Sequence, residues 1–380
     1  MPVTWRRWMG LAVALGLALP WPGLPALMQG PKLFVAAALM TWALMPWVIR
    51  LAWRLDAVDR PSSRRVHAEP TPRIGGLAVF VAVNLTLFLN FNYSLGLKGV
   101  CISAAIVAAL SLWDDVRELP AAVKLVGQLA ALVVLAAFGV HVEFAPDVWW
   151  GWLAEYAVTA LWVIGITNAF NFLDGINGLA AALALCVCLL MGLLAWSTHQ
   201  GYMLLLCLSV AGGAAGFLPD NARYAAPARV FLGDVGSTWL GWMMAGVAVM
   251  GDWSSEGPIK AYSAPVLIFS VMIFDMIYTT VARIWRGDVR SVHEWIAFVG
   301  RDHLHHRLMY LGLTQKQAVW AVVALSLVTG LAALALVSAN EFSVWLLLAQ
   351  SAVIYVLLSV IMVLAARRIE AGEAANGTGA

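Results

Sequence analysis

Apolar runs long enough to cross a membrane follow one another along almost the whole chain, and they restrict its fold more than any other feature. About 18 or more consecutive apolar residues form a helix that spans a bilayer, and inside a bilayer only helices and closed barrels satisfy their backbone hydrogen bonds. The composition agrees, because 62% of the 380 residues are hydrophobic and only 12% are charged. We therefore predict an all-α, polytopic membrane protein with eleven or twelve transmembrane helices, and exclude a soluble globular protein.

Twelve segments are predicted to span the membrane. The first contains Pro20, Pro22 and Pro25, which interrupt helices. It is interpreted as an uncleaved additional span, with a signal anchor as the alternative. The predicted domains are residues 1–30 for this segment, 31–366 for the polytopic domain and 367–380 for a disordered cytoplasmic tail. The predicted spans are residues 8–28, 33–53, 74–91, 95–113, 121–140, 152–173, 178–196, 201–218, 235–250, 262–284, 318–337 and 343–366.

The basic residues fall almost entirely on one side of the membrane when these spans are followed in order. Of the 23 lysines and arginines, only Lys32, Lys98 and Lys260 fall on the other side. Cytoplasmic loops carry an excess of Lys and Arg, so both termini are predicted to lie in the cytoplasm. The net charge of +2 gives no indication of a nucleic-acid partner.

A polar segment, NAFNFLDGING at residues 168–178, interrupts a long stretch of apolar sequence. Its carboxamides and carboxylate are costly to bury without partners, so it belongs at a membrane surface or in a wet cavity. Asn168, Asn171 and Asp174 follow one another at intervals of three and share one face of a helix, which Gly175 is expected to end. We expect a hard cation and phosphates to meet there.

Four further polar segments lie on the same predicted side. Each of them, taken alone, is more often a solvated helix end or a basic loop that follows the positive-inside rule. Together, and with acidic residues that this rule does not require, they favour one active site at the cytoplasmic face. The segments are residues 59–76, 114–124, 229–238 and 286–307.

The residue types in these segments indicate phosphoryl chemistry. In FLGDVGST, Asp234 stands at a predicted helix start whose free N–H groups bind anions, although the segment lacks the Gly-Lys-Ser/Thr of a Walker A loop. Asp234 and Asn171 offer hard oxygens to Mg²⁺. Lys124 follows Pro120 at a helix start, where it is expected to point at a phosphate.

Several hydrogen-bond donors lie close together at the C-terminal end of the last polar segment, residues 286–307. We interpret these donors as anion contacts. A zinc site is the alternative, but neither a cysteine nor a nearby pair of carboxylates completes one. The donors are Arg301, His303, His305 and His306.

A transporter is the main alternative to an enzyme. It would place ionisable residues in the middle of the membrane, and Asp275 is an acidic residue well inside a predicted span. Asp275 is either functional or a buried partner of Arg283 or of a helix N-terminus. The other polar segments gather on one face, and no internal repeat is evident, which favours an enzyme. A non-enzymatic lipid-binding scaffold would leave the polar segments without a role.

The polar segments resemble, in kind and in order, the motifs of the polyprenyl-phosphate N-acetylhexosamine-1-phosphate transferases, membrane enzymes of the glycosyltransferase family 4 type. The resemblance runs from about residue 33 to residue 317. It implies transfer of a sugar-1-phosphate from a UDP-sugar to a polyprenyl phosphate, with Mg²⁺ or Mn²⁺ as the cofactor and UMP as a product. The motifs are RPSSRRVHAEPTPRIGG, the pair Asp114 and Asp115, NAFNFLDGING, FLGDVGS and DHLHHRL.

The HLHH motif resembles the N-acetylglucosamine branch of that family. It therefore implies UDP-N-acetylglucosamine as the donor and undecaprenyl phosphate as the acceptor, with a 6-deoxy sugar such as FucNAc or QuiNAc as an alternative. The resemblance also implies the bacterial inner membrane and the first membrane step of a cell-envelope polysaccharide, such as O-antigen or a teichoic-acid linkage unit. A homodimer and a monomer are both compatible with it. The first span is an addition to the usual eleven-span plan.

The resemblance further implies roles for individual residues. Asp234 and Asn171 match the metal ligands, and Lys124 matches a lysine that grips phosphate. The residues implied to be catalytic are Asp114, Asp115, Lys124 and Asp234. The residues implied to bind substrate are Phe231 and Asn177 at uracil, Arg301, His303, His305 and His306 at the sugar diphosphate, and Asn168 and Asp174.

The charges of the two substrates favour a direct attack. The second pKa of a polyprenyl monophosphate is near 6, so repulsion from the diphosphate, rather than deprotonation, is the obstacle. The metal, Lys124 and the His/Arg loop would gather positive charge between the two anions. Asp114 would orient the lipid phosphate or take its last proton. A two-step route through an aspartyl-phosphate is the alternative.

Overall fold

The chain folds almost entirely into helices. A computed structural model describes residues 4–21, 23–60, 69–90, 94–291, 294–295, 298 and 300–377. Val58–Asp59 (β1) and Thr71–Pro72 (β2) pair as a short antiparallel ribbon. The helices are α1 Trp5–Ala18, α2 Ala26–Arg54, α3 Gly76–Asn90, α4 Leu95–Val116, α5 Ala121–Ala137, α6 Trp149–Phe172, α7 Leu179–Ser197, α8 Gly201–Asn221, α9 Gly233–Met250, α10 Pro258–Ile268, α11 Ser270–Arg286, α12 Leu304–Tyr310, α13 Gln315–Val337 and α14 Glu341–Gly377.

Seven of the helices in the described part of the chain are long and apolar enough to cross a membrane, and the bent pair α10 and α11 makes an eighth. The predicted all-α, polytopic membrane protein is therefore confirmed. Length and composition assign fewer crossings than the eleven or twelve predicted, because α1, α3 and α5 have only 14, 15 and 17 residues and α9, with 18, is not among the seven. At 1.5 Å per residue such helices are shorter than a hydrocarbon core of about 30 Å. The seven are α2 from Met28, α4, α6, α7, α8, α13 and α14 up to Ala366.

The first predicted span, residues 8–28, is divided between two helices. α1 ends at Ala18, before the prolines, and α2 begins at Ala26. The two helices form an antiparallel hairpin, in which the Arg7 guanidinium lies 3.9 Å from the Trp42 ring centroid and Lys32 Nζ donates to the Leu19 carbonyl at 3.0 Å. Arg7 also forms an ion pair with Asp220 at the end of α8, at 3.1 Å. α1 is therefore packed into the helical bundle.

Two further predicted segments differ from the structure. Residues 262–284, predicted as one span, are broken at Phe269, where α10 and α11 meet at 74°. Pro265 lies within α10, and a proline removes a helix hydrogen bond and bends the chain. α14 continues to Gly377, into the tail predicted to be disordered, and residues 378–380 lie outside the described residues.

α9 is the central helix of the bundle. Every residue from Val235 to Ala248 is buried, as expected for a helix that is apolar on all sides. It packs between α4 and α6, and Trp242 Nε1 donates to Ser103 Oγ of α4 at 2.8 Å. The ends of α4 and α6 and the beginnings of α5 and α9 therefore meet at one end of the bundle, which we call the polar end.

The predicted sidedness of the charges agrees with this arrangement. Lys98 lies in the first turn of α4 and Lys260 in the first turn of α10, both away from the polar end. Lys32 lies near the beginning of α2 and donates to Asn90 Oδ1 at the end of α3, at 3.2 Å. The three lysines that the sequence assigned to the second side thus lie at the end of the bundle opposite the polar end.

Two glycines let α3 cross α9 in backbone contact. A Cβ atom added to Gly76 would lie 2.1 Å from Gly236 Cα, and one added to Gly236 would lie 2.6 Å from Gly76 Cα. Just before this crossing, the Gly75 and Gly76 N–H groups donate to the carbonyls of Phe231 and Leu232 at 2.9 and 2.8 Å. The crossing therefore fixes the beginning of α9 at the polar end.

We expect Gly76→Ala to lower the thermal stability of the protein in detergent. The added methyl group would meet backbone rather than a flexible side chain, and overpacking of this kind costs about 1–3 kcal/mol. The matched control is Gly165→Ala in α6, where an added Cβ meets nothing within 4 Å and alanine favours the helix. Equal melting temperatures for the two variants would contradict the close crossing.

Candidate active site

Side chains from four helices meet at the polar end. Lys124 Nζ of α5 lies 2.8 Å from Asp114 Oδ2 of α4 and 3.1 Å from Asp234 Oδ2 of α9. Asn171 Nδ2 of α6 donates to Asp234 Oδ1 at 3.0 Å. The structure thus brings four of the sequence-predicted site residues into one cluster of contacts, although they come from four helices and from three separate polar segments of the chain.

The paired aspartates of α4 have different surroundings. Asp114 accepts the Leu119 N–H at 2.7 Å with one oxygen and contacts Lys124 with the other. Asp115 is 4% exposed, and its two oxygens accept the N–H groups of Asp234 and Val235 at 3.1 and 2.9 Å. Asp115 therefore caps the N-terminus of α9 and holds Asp234 in position, whereas Asp114 faces the lysine.

The loop before α9 is held by the residues that follow β2. Phe231 N–H donates to the Pro72 carbonyl at 2.8 Å, and Arg73 Nε donates to the Asp115 carbonyl at 2.8 Å. Gly233 has φ +74°, and a Cβ there would lie 1.7 Å from the Arg73 carbonyl oxygen, so only glycine fits. The first polar segment thus frames the site through residues 71–76, while its residues 61–68 lie outside the described part of the chain.

A cavity of about 590 Å³ opens beside this cluster. Its walls include five of the residues predicted to bind substrate, together with Asp115 and Asp234, and they also include Arg73, Asn221 and Tyr224, which the sequence did not single out. The five predicted residues in the wall are Asp174, Asn177, Phe231, Arg301 and His306.

Asn221 joins two loops of the cavity. Its Oδ1 accepts the Gly178 N–H at 2.6 Å, and its Nδ2 donates to the Val230 carbonyl at 2.9 Å. These bonds fix residues 168–178 against the loop that carries Phe231. In the sequence, Asn221 is only a polar residue at the end of an apolar run, next to Asp220, and that position was the one available signal.

Asn168 does not line the cavity. Its carboxamide pairs with the carboxamide of Gln128 in α5, at 2.9 and 3.3 Å, and donates to the Ile164 carbonyl at 2.8 Å. Gln128 is buried, so this pair satisfies two polar groups inside the bundle. The structure therefore places Asn168 between helices, one turn from Asn171, and not among the substrate-facing residues.

Asp275 anchors the histidine-containing segment to α11. Its Oδ2 lies 2.7 Å from His303 Nδ1, and its Oδ1 accepts the Leu304 N–H at 2.6 Å. Arg283 Nη2 lies 3.3 Å from His303 Nε2, so His303 donates from Nδ1 and accepts at Nε2. The sequence left Asp275 either functional or a buried partner of Arg283 or of a helix N-terminus. Its contact with the Leu304 N–H supports the partner at a helix N-terminus. Its second partner, His303, was not indicated by the sequence.

Arg283 completes this anchor. It donates to both oxygens of Asp302, at 2.6 and 2.9 Å. Burial raises the pKa of the Asp302 carboxyl, but the hydrogen bonds and charge of Arg283 outweigh it and leave that pKa below its ordinary value. His303, bonded as above, stacks on Phe172 with ring centroids 5.2 Å apart, so it supports the segment from behind the cavity.

The other two histidines are neutral. Burial, with the neighbouring histidines His306 and His303, lowers the pKa of His305 well below its ordinary value. Burial, followed by His303 and Arg301, lowers the pKa of His306 to about 4. The expected positive charge of this segment at the cavity therefore comes from Arg301, and His306 offers a neutral hydrogen-bonding group. His305 is fully buried and does not line the cavity.

The site contains more acidic side chains than basic ones, since Lys124 is the basic residue that contacts Asp114 and Asp234. Asp114, Asp115 and Asp234 are accompanied by Asp174, whose pKa is raised well above its ordinary value by burial and then by the charges of Asp234 and Asp115. Negative charge that is not compensated favours a cation nearby. Within the described residues, no group of three or more His, Cys, Asp or Glu is arranged to hold a metal.

Carboxylate and carboxamide oxygens are the donors that Mg²⁺ takes in small numbers, the rest coming from water and phosphate. Asn171 uses its amide nitrogen to donate to Asp234 and, at 2.8 Å, to Ser237, which leaves its Oδ1 available to a cation. The residues at the polar end therefore fit Mg²⁺ held by Asp234 and Asn171.

Comparison with known proteins identifies relatives over most of the chain. Residues 97–252 match the sequence model of glycosyl transferase family 4. A probable undecaprenyl-phosphate N-acetylglucosaminyl 1-phosphate transferase of Bacillus subtilis is 32% identical over 82% of this chain and 86% of its own length. A decaprenyl-phosphate N-acetylglucosaminephosphotransferase of Mycolicibacterium smegmatis is 33% identical, covering 75% of this chain and 76% of its own.

A more distant relative shares the same kind of name. The undecaprenyl-phosphate alpha-N-acetylglucosaminyl 1-phosphate transferase of Escherichia coli K12 is 23% identical over 79% of this chain and 82% of its own length. All three relatives are thus named for phosphotransfer of N-acetylglucosamine to a polyprenyl phosphate.

We expect Asp275→Ala to loosen the segment 300–311. The change leaves the buried N–H groups of His303 and Leu304 without an acceptor, at a cost of about 1–3 kcal/mol each. Hydrogen exchange followed by mass spectrometry should show amides of this segment exchanging about tenfold faster or more. Asp147→Ala, an exposed position at the other end of the bundle, is the control, and unchanged exchange in Asp275→Ala would refute the anchor.

We expect mild acid to destabilise the protein through His305 and His306. Both have a folded-state pKa below the ordinary value of 6.5, so the unfolded chain binds protons first and stability falls as the pH drops from about 6.5 towards 4. Thermal unfolding in detergent should therefore show a smaller loss between pH 7 and pH 5 in His306→Gln than in the parent protein. His199→Gln, at an exposed histidine, should keep the parental loss.

Proposed function

The chain belongs to glycosyl transferase family 4, and we propose that it transfers N-acetylglucosamine-1-phosphate from UDP-N-acetylglucosamine to undecaprenyl phosphate. The products would be undecaprenyl-diphosphate N-acetylglucosamine and UMP. The observation that carries this proposal is the contact of Lys124 with Asp114 and Asp234 beside a cavity of about 590 Å³. The names of the relatives supply the sugar and the class of acceptor.

The cavity is proposed to bind the nucleotide donor. Phe231 and Asn177 line it on one side, where an aromatic ring and a carboxamide suit a uracil base through stacking and hydrogen bonding. Arg301 and His306 also line it, and a guanidinium with a neutral imidazole suits the oxygens of a sugar diphosphate. His303 and His305 then act by positioning this segment, rather than by touching the donor.

Asp234 and Asn171 are proposed to hold Mg²⁺, with Mn²⁺ able to take its place. When bound, the cation would neutralise charge on the diphosphate and stabilise the leaving phosphate. Asp115 keeps Asp234 at the beginning of α9 through its two backbone hydrogen bonds, and Ser237 orients the Asn171 carboxamide at 2.8 Å. These contacts orient the two side chains that are proposed to be metal ligands.

Lys124 is proposed to bind the lipid phosphate. The lipid would enter the site laterally from the bilayer. An oxygen of that phosphate forms a bond to the β-phosphorus of the donor, the bond from this phosphorus to the bridging oxygen breaks, and UMP leaves with that oxygen. The lipid phosphate is mostly dianionic at neutral pH, so the reaction needs charge neutralisation and alignment more than a strong base.

The surroundings of Asp114 favour this single displacement over an aspartyl-phosphate. One oxygen accepts the Leu119 N–H and the other accepts the Lys124 ammonium. Hydrogen bonds to an ionised carboxylate stabilise its charge and make it a weaker nucleophile. We therefore assign Asp114 to orienting Lys124 and the lipid phosphate, or accepting its last proton.

The protein is a multi-pass membrane protein, and we propose that it lies in the bacterial inner membrane with the site facing the cytoplasm. The basic residues at the polar end support this orientation. The reaction would then be the first membrane step of a cell-envelope polysaccharide. FucNAc and QuiNAc donors are the alternative sugars, and a homodimer is compatible with this function.

The proposal is tested with purified protein, undecaprenyl phosphate and a panel of UDP-sugars. We expect UDP-N-acetylglucosamine to give a lipid-diphosphate sugar, identified by its mass, with an equal amount of UMP and only when Mg²⁺ or Mn²⁺ is present. Asp234→Asn should reduce turnover by about 10²–10³-fold or more, because the electrostatic stabilisation of the transition state is lost. Asp56→Asn changes a side chain that is 74% exposed and should leave turnover unchanged.

Two results would contradict the proposal. No lipid product with any UDP-sugar would reject the reaction. Alternatively, Asp234→Asn and Asp56→Asn could both show near-normal, metal-dependent turnover. That result would be consistent with the proposed reaction but would reject Asp234 as the metal ligand.

A further inference from the structure

A second cavity, of about 920 Å³, lies at the end of the bundle opposite the polar end. It is bounded by the end of α5 and the loop after it, by α6, by the end of α9 and by the beginning of α10. Gly96 in its wall and Asp114 at the active site lie at opposite ends of α4, about 27 Å apart at 1.5 Å per residue. The cavity is therefore separate from the proposed reaction and does not depend on it.

The walls of this cavity are held by specific hydrogen bonds. Glu155 of α6 is buried, and its Oε1 accepts the N–H groups of Phe144 and Ala145, both at 2.8 Å. Thr159 Oγ1, one turn further along α6, accepts the Val142 N–H at 3.0 Å. These contacts clamp the loop after α5 onto α6, so the cavity has an ordered wall.

A bond across the cavity joins this loop to α10. The Tyr262 hydroxyl donates to the backbone carbonyl of Glu143, and both residues line the cavity. Val158 of α6 and Val266 of α10 line the cavity and are 43% and 42% exposed. Because α6 and the α10–α11 pair are apolar enough to cross a membrane, exposed apolar side chains on these helices border hydrocarbon.

The lining combines an apolar interior with acidic groups. Trp162, Met250 and the two valines supply apolar walls, whereas Glu143 and Asp252 supply carboxylates. No lysine or arginine is among the described residues that line it. Lys260 of α10 is bonded to Glu256 and to the carbonyl of Ala339, so its charge is already compensated.

His141 in the same lining has an unsatisfied ring nitrogen. Its Nδ1 is buried and has no hydrogen-bond partner within the described residues, while its Nε2 lies 3.8 Å from Glu155 Oε2. A buried polar atom without a partner costs about 1–3 kcal/mol. The Nε2 of His141 faces a carboxylate and therefore carries the ring proton, so Nδ1 is an acceptor, and a ligand N–H placed at it would remove that cost.

We propose that this cavity binds a phospholipid with an ammonium head group, taken from the membrane leaflet away from the active site. An acyl chain would lie along Val158, Trp162 and Val266, and the volume is within the range of ligand cavities, about 300–1,000 Å³. The ammonium group would face Glu143 and Asp252 and donate to His141 Nδ1. Anionic lipids are held by clusters of lysine and arginine, which this lining lacks.

The proposal is tested by native mass spectrometry of the full chain, purified in detergent and supplied with equal amounts of palmitoyl-oleoyl phosphatidylethanolamine and phosphatidylglycerol. We expect one phosphatidylethanolamine to be retained over phosphatidylglycerol by about fivefold or more. Glu143→Gln combined with Asp252→Asn should remove this preference. Val158→Trp and Val266→Trp, which fill the cavity from opposite walls, should each abolish retention.

Val353→Trp is the matched control, because Val353 is 57% exposed on α14, away from the cavity, and this variant should retain the lipid. A thermal unfolding temperature in detergent equal to that of the parent protein shows that each variant is folded. Equal retention of phosphatidylglycerol would overturn the choice of head group. Unchanged retention in both cavity-filling variants, or a change in the fraction of dimer instead of lipid, would overturn the site.

Discussion

The fixed position of Asp234 at the buried N-terminus of α9 is the constraint on which the rest of the polar end depends. An ionised carboxylate is costly there unless it is paired. Its oxygens accept the Lys124 ammonium and the Asn171 amide N–H, and the Asp234 backbone N–H donates to the Asp115 carboxylate. Because each partner comes from a different helix, the pairing of one charge also sets the positions of α4, α5 and α6.

Small residues and backbone hydrogen bonds make this arrangement rigid. The Gly76–Gly236 crossing brings the start of α3 against α9, and the residues after β2 bind the loop before α9. On the far side of the cavity, Asp275 and Arg283 hold the histidine-containing segment. Asp275 is thus used in a static network inside the protein, which gives no support to a transport pathway through it.

Much of the site was predictable because polar groups inside apolar sequence need partners. Lys124, Asn171 and Asp234 were identified from the residues and their positions at predicted helix ends, and Asp114 from the family resemblance, and the structure brings the four into contact. The all-α membrane fold followed in the same way from the apolar runs. The family resemblance added the chemistry, and the roles of the individual residues stay predictions until they are measured.

The remaining features depend on neighbours that the sequence cannot identify. The sequence does not show that Asp115 accepts N–H groups at the beginning of α9, more than a hundred residues later. Nor does it show that Asn168 pairs with Gln128. The neutrality of His306 comes from burial, and the short lengths of α1, α3 and α5, 14 to 17 residues, cannot be read from hydropathy alone.

The central claim is that a divalent cation binds between Asp234 and Asn171, within reach of Lys124. An experimental structure with Mn²⁺, located by its anomalous scattering, measures this directly. We expect one manganese ion about 2.1 Å from an Asp234 carboxylate oxygen and from Asn171 Oδ1, with the Lys124 ammonium moved away from Asp234. Manganese bound at the histidines of the 301–307 segment, with none at Asp234, would contradict the account.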